Sequence, residues 1–522
     1  MSTNKNGLAT SRRTIIKSTS IISLGTLSSR VLGFLRDIIL AHMLGTGIKA
    51  DTFFVALRIP NLFRDIVGEG AANSAIVPVF SEYVEKNDKR QLNQFVSVLF
   101  VVSLMLLSMI VVVGILFSPM IIRVMAPGFW EDRQKFDLAV SLTRFMFPYL
   151  IFIGLTAYST GILYTFRSFI VPAFSPCLLN VAFIISALVS MNMEEPVYGL
   201  AAGVLAGGIA QLLVQIKPLL KNGISFEKPI FLNHPGVKKV GKLLLPRLFG
   251  SGIYQLNVLV DTFCASLSSI VGTGGIAAIY YANRIVQLPL GVFVAALASV
   301  MLPTLSGLST QSNMEQFKKS VMFSVKGTAL VLLPFSIVLL SLSEPIIRVI
   351  FERGEFTGYS THITSLALSF YSIGLISFGG SRILVTAFHA LQDTTTPVKA
   401  GALSLLVSII LNFLLIKPFK VGGIALASAA SATVNFIVLY FWLNQRLGGL
   451  HENMGRFVLK VFFSAILMGL SVVLVWKYGT MFPEMLRLIL AGTFGFIAFT
   501  VACFLLKVDQ MKDVFQWMLR KK

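Results

Sequence analysis

Arg30, Arg36 and Asp37 stand in "SSRVLGFLRDIILAHMLG" (28–45). Asp51, Arg58, Arg64 and Glu69 stand in "DTFFVALRIPNLFRDIVGEGA" (51–71). A guanidinium keeps its charge, and its planar fork donates two hydrogen bonds at once to a carboxylate or a phosphate. In an apolar segment such a group is costly unless it meets a wet cavity or a partner. Arg30 and Asp37 fall on one helix face, with Arg36 about 120° round from Arg30. Asp51 and Arg58 share a face in the same way, and Pro60 is expected to bend or break that helix before Arg64. "GEG" at 68–70 loosens it further. Broken helices at membrane depth line cavities or are buried in protein. Arg284, in "YYANRIVQLP", also stands shortly before a proline, Pro289. Arg247 is expected near the cytoplasmic end of helix seven, with Asp261 deeper, and Arg144 and Arg382 fall in apolar segments without a placement relative to a cavity.

Three or four arginines around one cavity favour a polyanion, and a diphosphate fits. Arg30, Arg36, Arg64 and Arg284 are the candidate diphosphate ligands. Asp37, Asp51 and Glu69 are the candidate cavity acids, and Arg58 is a further cavity candidate. A second reading stays open: the arginines pair with Asp37, Asp51, Asp65 and Glu69 as structural locks, or snorkel to the surface. It fits Arg36 with Asp37, and Arg58, best. Asp261, in "LNVLVDTFCAS", has no basic neighbour in sequence, so it is either neutral and hydrogen-bonded or a cation ligand. Ser408 and Asn412, spaced i and i+4, offer oxygens on one face for a small cation.

The elements that must carry these groups are membrane helices. Of 522 residues, 55% are hydrophobic and 13% charged, against roughly 25% charged in soluble domains. Apolar runs such as "FVSVLFVVSLMLLSMIVVVGILF" (95–117) recur along the chain, and about 20 such residues span a bilayer. The roughly ten-residue alternation of a β-barrel is absent. The fold class is an all-α polytopic membrane protein. Fourteen spans are expected, centred near 14–44, 51–83, 93–124, 137–165, 170–192, 196–219, 241–268, 276–305, 319–343, 361–390, 397–416, 421–444, 456–476 and 485–507. The basic N-terminal stretch lacks a small-residue cleavage site and reads as part of a retained first helix.

The net charge of +21 reflects basic loops rather than a nucleic-acid surface. Loops on the N-terminal side hold 23 Lys and Arg, and loops on the other side hold 9. That bias makes both termini cytoplasmic, with a basic tail against the anionic inner leaflet. Cys177, Cys264 and Cys503 lie in apolar stretches and read as packing residues. No metal-ligand spacing, nucleotide loop or nucleophile motif is present. "GLAAGVLAGG" (199–208) reads as close helix packing.

The halves resemble each other. "ALRIP" (56–60) parallels "ANRIV" (282–286), "AIVPVFS" (75–81) parallels "SVMLPTLS" (299–306), "ILYTF" (162–166) parallels "ILVTA" (383–387), and "YGLAAG" (198–203) parallels "GGIALA" (422–427). Four matches at shifts of 221 to 226 argue for a six-helix unit used twice as a parallel repeat, an arrangement suited to a rocking transporter. The expected organisation is an N-lobe at 14–219, a basic cytoplasmic linker at 220–240, a C-lobe at 241–444, two extra helices at 456–507 and a basic tail at 508–522.

"SRVLGFLRD" (29–37), Pro60 to Ala71, "VPVFSEY" (77–83), "APGF" (126–129), "YYANRIVQLPLGVF" (280–293) and "LQDTTTPVK" (391–399) together resemble the MurJ (MviN) lipid II flippases. The resemblance covers nearly the whole chain. It implies the MATE-related exporter fold: two six-helix lobes about a central cavity, with helices thirteen and fourteen forming a groove for the undecaprenyl tail. It implies transport of lipid II from the inner to the outer leaflet of the bacterial inner membrane. Arg30, Arg36, Arg64 and Arg284 match the family's cavity arginines, and Asp51 its cavity acid. Some relatives bind sodium in the second lobe, where Asp261, Ser408 and Asn412 are the nearest candidates. Others carry acids at the positions of Asn283 and Gln287, here neutral cavity candidates.

The expected activity is therefore a lipid-linked oligosaccharide flippase working by alternating access, without a catalytic residue or metal, with sodium as a candidate coupling ion. The expected partners are lipid II and membrane lipids, with a monomeric chain that cell-wall synthesis proteins could join. Alternatives are a flippase for another polyprenyl-linked oligosaccharide, a drug exporter or a polyprenyl-dependent transferase. A cation exporter should not line its cavity with arginine, and no loop is long enough for a transferase's aqueous domain.

Overall fold

The computed structural model describes residues 3–67, 71–86, 88–227, 233–311, 313–450, 454–508 and 510–511. Side chains are described outside 3–19, 63, 65–67, 71–74 and 245–254. Glu69, the 68–70 loop and the tail from residue 512 therefore lie outside the described residues, as do the side chains of Asp65 and Arg247.

No strand occurs among the described residues. The helices are α1 (Thr3–Leu44), α2 (Ile48–Val67), α3 (Ala71–Lys86), α4 (Lys89–Leu116), α5 (Ser118–Met125), α6 (Arg133–Met146), α7 (Tyr149–Thr165), α8 (Ile170–Ser190), α9 (Pro196–Lys221) and α10 (Pro235–Ser266). They continue as α11 (Ser268–Val271), α12 (Gly275–Pro289), α13 (Ala295–Thr310), α14 (Met314–Ser341), α15 (Ser343–Phe351), α16 (Gly358–Ile373), α17 (Leu375–Ala390), α18 (Thr395–Phe419), α19 (Val421–Arg446), α20 (Met454–Tyr478) and α21 (Glu484–Leu505). The chain divides into two compact units: Met1–Leu44 with Ile48–Gln255, and Gly45–Gly47 with Leu256–Lys522.

Ten helices among the described residues are long and apolar enough to cross a membrane, eleven if α16 and α17, bent by 48°, form one span. The count of fourteen is not reached this way. The three remaining expected spans, 14–44, 51–83 and 241–268, coincide with α1, α2 with α3, and α10. Those segments carry Arg30, Arg36, Asp37, Asp51, Arg58, Arg64 and Asp261, and their charge lowers the mean hydropathy. Pro60 does not break α2, which runs on to Val67. Beyond Pro289 the helix widens into a five-residue π-turn, Leu290–Val294, a device common at functional sites.

Element boundaries reveal the duplication more sharply than residue identities do. Helices α4 (Lys89–Leu116) and α14 (Met314–Ser341) are both 28 residues long, and α9 (Pro196–Lys221) and α19 (Val421–Arg446) are both 26. One and the same shift carries α4 onto α14 and α9 onto α19 at both ends. Asp88 caps α4 by accepting from the Gln91 N–H, and Asn313, at the same place before α14, caps it from the Gln316 N–H. Such a side-chain acceptor satisfies an orphan donor of the first turn. After α7 and α17, Arg167 and Gln392 take left-handed backbone with φ of 56° and 57°. Behind each, a 6→1 bond closes the helix: Ser168 N–H to Leu163 O and Asp393 N–H to Phe388 O. Short helices α5 and α15 share "IIRV" at 121–124 and 346–349.

In the first unit, the segment after α9 docks on α3 and α4. The Ser225 N–H donates to Asn93 Oδ1 at 3.1 Å and the Glu227 N–H to Ser97 Oγ at 2.8 Å. The His234 ring stacks on Phe95 at 5.3 Å and packs against Tyr83 at 5.6 Å. Lys239 pairs with Glu82. In the second unit, α20 and α21 pack Phe457, Val461, Ala465, Phe499 and Cys503 against Ala329, Leu330 and Leu333 of α14. Arg348 of α15 pairs with Glu344 and Glu352 and lies 3.8 Å from Glu484 at the start of α21. The extra helices are thus anchored to the second unit at two levels.

Candidate functional site

The sequence places Arg36 and Asp37 side by side on α1, and the structure buries both, at 8% and 1% exposure. Arg36 Nε and Nη2 donate to Asp37 Oδ1 at 3.0 and 2.8 Å. Arg36 Nη1 donates to Asn180 Oδ1 of α8 at 3.0 Å, and the guanidinium lies 5.1 Å from the centre of the Phe183 ring. Asn180 is itself oriented by donating from Nδ2 to Ser29 O at 3.0 Å. Arg36 thus bridges an acid and an amide oxygen within the first unit, which is the geometry of a lock. Gly33 lies against the Asn180 side chain, so helix α1 approaches α8 closely there.

The other first-unit candidates stand on α1 and α2. Arg30 is exposed on α1, Arg58 and Arg64 are partly buried on α2, and Asp51 is 1% exposed in the first turn of α2. A carboxylate there is favoured by the helix macrodipole. Glu69 lies outside the described residues.

In the second unit Arg284 of α12 is partly buried, and its Nη2 donates to Tyr280 Oη at 2.7 Å. The guanidinium also lies 4.7 Å from the Tyr280 ring centre. An i, i+4 tyrosine therefore holds the fork in one orientation. Asn283 and Gln287 are partly buried on the same helix.

Asp261, Ser408 and Asn412 are brought together. Asn412, fully buried, has its Nδ2 3.4 Å from Asp261 Oδ1, 3.0 Å from Ser408 O and 3.4 Å from Ser408 Oγ. Ser428 of α19 donates to Asp261 Oδ2 at 2.8 Å; sequence reasoning missed it because it lies in a run of small residues, "ALASAASA" (425–432). Asn412 Oδ1 is buried without a hydrogen-bond donor among the described residues. One carboxylate, an amide oxygen and two hydroxyls make an oxygen-rich set, of the ligand type that hard cations take.

Arg144, unplaced by sequence, closes a helix break: its Nε donates to Ser118 Oγ at 2.9 Å and Ile115 O at 3.3 Å. Arg382 is exposed on α17. In "LQDTTTPVK", Asp393 accepts from the N–H groups of Thr395 and Thr396 at 3.1 and 3.0 Å and pairs with Arg446. Burial alone would raise its pKa. The Thr396 N–H and hydroxyl, the Thr395 hydroxyl and Arg446 outweigh that and hold the carboxyl well below the usual carboxylate range.

Comparison with known proteins gives a consistent picture. The family model described as "Lipid II flippase MurJ" matches residues 40–491. A probable lipid II flippase MurJ of Vibrio cholerae is 35% identical over 476 residues, covering 90% of this chain and 90% of the relative. A lipid II flippase MurJ of Burkholderia cenocepacia is 34% identical over 426 residues, covering 81% and 82%. Among solved structures, lipid II flippase MurJ in an inward closed conformation superposes with a TM-score of 0.79 at 27% identity, over 94% of this chain and 99% of that one. An inward-facing multidrug resistance MATE family transporter superposes at 0.67 and 15% identity, over 81% and 96%, which speaks for the fold alone.

Proposed function

Because this chain belongs to the lipid II flippase MurJ family, we propose that it carries lipid II from the inner to the outer leaflet of a bacterial inner membrane. It acts as a transporter and not as an enzyme. The observation that carries the reading is the set of guanidinium groups on α1, α2 and α12, in a chain matching that family along most of its length.

In this reading Arg30, Arg64 and Arg284 meet the diphosphate as it crosses. Their charge does not depend on pH, and a bidentate fork suits a phosphate. Tyr280 keeps the Arg284 fork oriented. Arg36, expected from sequence among these ligands, has its three donor nitrogens directed at Asp37 and Asn180, and its part is to hold α1 on α8. Asp51, buried at the start of α2, and Asp37 are the acids of the path, with Asn283 and Gln287 as neutral polar groups beside Arg284.

An inside-negative potential favours outward movement of the anion by about 2.3 kcal/mol per charge per 100 mV. The Asp261 set takes a monovalent cation, with sodium as the coupling ion, and its binding resets the carrier. Both termini are cytoplasmic, and the chain works as a monomer that cell-wall synthesis proteins can join.

The test is lipid II exposure at the outer leaflet in cells. Arg30→Ala and Arg284→Ala should each abolish it while the protein still accumulates in the membrane. Full exposure in both variants would overturn the reading.

A further inference from the structure

The repeat lets each unit be checked against the other. The shift that carries Lys89 to Met314 and Leu116 to Ser341 is 225 residues. It also carries Arg123 of α5 onto Arg348 of α15, inside the shared "IIRV". In the second unit the face so defined is covered. Ala329, Leu330 and Leu333 of α14 are at most 8% exposed and pack, with Ile337, against α20 and α21. Gly469 lets α20 come close, since a Cβ there would lie 2.6 Å from Ile337 Cγ2. At the far end of the same face Arg348 lies 3.8 Å from Glu484 of α21.

The same positions of the first unit are bare. Leu104, Met105 and Val112, the counterparts of Ala329, Leu330 and Ile337, are at least 43% exposed. The linker takes the start of α4, through Phe226 on Phe100, so the bare face begins beyond it. It runs on through Met109 and Met120 to Arg123, all exposed. Arg348 also pairs with Glu344 and Glu352, whose counterparts are Pro119 and Pro127. Arg123 therefore keeps the charge without either local acid. It pairs with no acid among the described residues, and its guanidinium lies 4.0 Å from the ring centre of the exposed Trp130.

We propose that the face of α4 and α5 from Leu104 to Arg123 docks a transmembrane helix of a partner protein, in the place that α20 and α21 take on the second unit. That helix carries a small residue at mid-span and a carboxylate near its outer end. The proposal rests on the orientation given above and not on the cargo. Helices associate in lipid through close packing and polar pairs, because lipid tails are as apolar as the side chains. The small residue permits the close approach, as Gly469 does on α14. The carboxylate meets Arg123, as Glu484 meets Arg348, and fixes the register. Met105, Met109 and Met120 supply an apolar surface of the type that adapts to a partner's shape.

The test replaces Val112 of the full-length protein with a photoreactive phenylalanine analogue in growing cells. Ile410, an exposed apolar position on α18, is the reference. Val112 should give a discrete protein adduct that Ile410 does not. Arg123→Glu should weaken that adduct by about tenfold or more, because like charges facing each other in an interface are costly. Mass spectrometry of the adduct should identify a membrane protein with a carboxylate near the outer end of a span. Changing that carboxylate to lysine should restore the adduct in the Arg123→Glu background. Lipid adducts alone, or protein adducts matched at Ile410, would overturn the proposal. So would a cross-link to a second copy of this chain, a partner without such a carboxylate, or an adduct indifferent to Arg123→Glu. Should Arg123→Glu fail to accumulate, Arg123→Gln decides in the same way. The cross-link is read whatever the cargo, so this proposal and the transport reading fail separately.

Discussion

Arg36 and Asp37 are adjacent in sequence and buried together, so their worth lies in not being separated. Breaking a buried pair by removing one member leaves an uncompensated charge and costs about 3–5 kcal/mol, whereas replacing both by apolar groups is often neutral. Arg36→Met should therefore lower unfolding stability by that order, and Arg36→Met with Asp37→Leu should recover most of it. Chemical denaturation of the purified protein measures both; equal losses in single and double variants would contradict the lock. The pairing itself was legible, since the residues are neighbours. What completes each polar set was not. Asn180 is 144 residues from Arg36, and Ser428 is 167 residues from Asp261. Neither distance leaves a trace in local pattern.

At the scale of the element, charge and packing compete along the same helices. Helices α1, α2 with α3, and α10 fall short of the apolarity of the other spans because they carry the ionisable residues. Composition read at this level therefore points to most of the helices that carry candidate residues, though not to α12, whose span stays apolar despite Arg284. It misleads at Pro60, where the helix continues to Val67; a proline removes one donor but neighbouring packing can hold the turn. It is silent on Arg144, which serves a helix end through Ser118, while the second unit does the same with Ser369 and Ser343 at 2.7 Å. The linker after α9 is the element most open to pH. His234 stacks on Phe95, and its Nδ1 accepts from the Gly236 N–H at 3.1 Å. Burial lowers its pKa below the ordinary 6.5. A depressed folded pKa means the undocked state binds more protons, so docking is at full strength above about 6.5 and weakens as pH falls through the lowered value. Hydrogen exchange at 234–239 should speed up between pH 7.5 and pH 5.5 relative to a loop reference. His234→Phe should remove that dependence, and an unchanged ratio in wild type would contradict it.

At the scale of the whole molecule, the duplication was visible in sequence only as four weak matches with drifting shifts, yet α4 and α14, and α9 and α19, repeat in length and register at both ends. Helix length is set by bilayer thickness and by cap positions, which tolerate little change. Lipid-facing side chains need only stay apolar, so their identities drift. Within that common frame the two acids meet different partners: Arg36 donates to Asp37, while Asn412 and Ser428 reach Asp261. The central claim is that the chain moves lipid II across the membrane. It is tested most directly by accounting for lipid II in each leaflet after rapid depletion of this protein in growing cells. The account predicts that lipid II accumulates in the inner leaflet and that its exposure at the outer leaflet falls with the protein. Unchanged outer-leaflet exposure after complete depletion, with no other flippase able to take over, would contradict it.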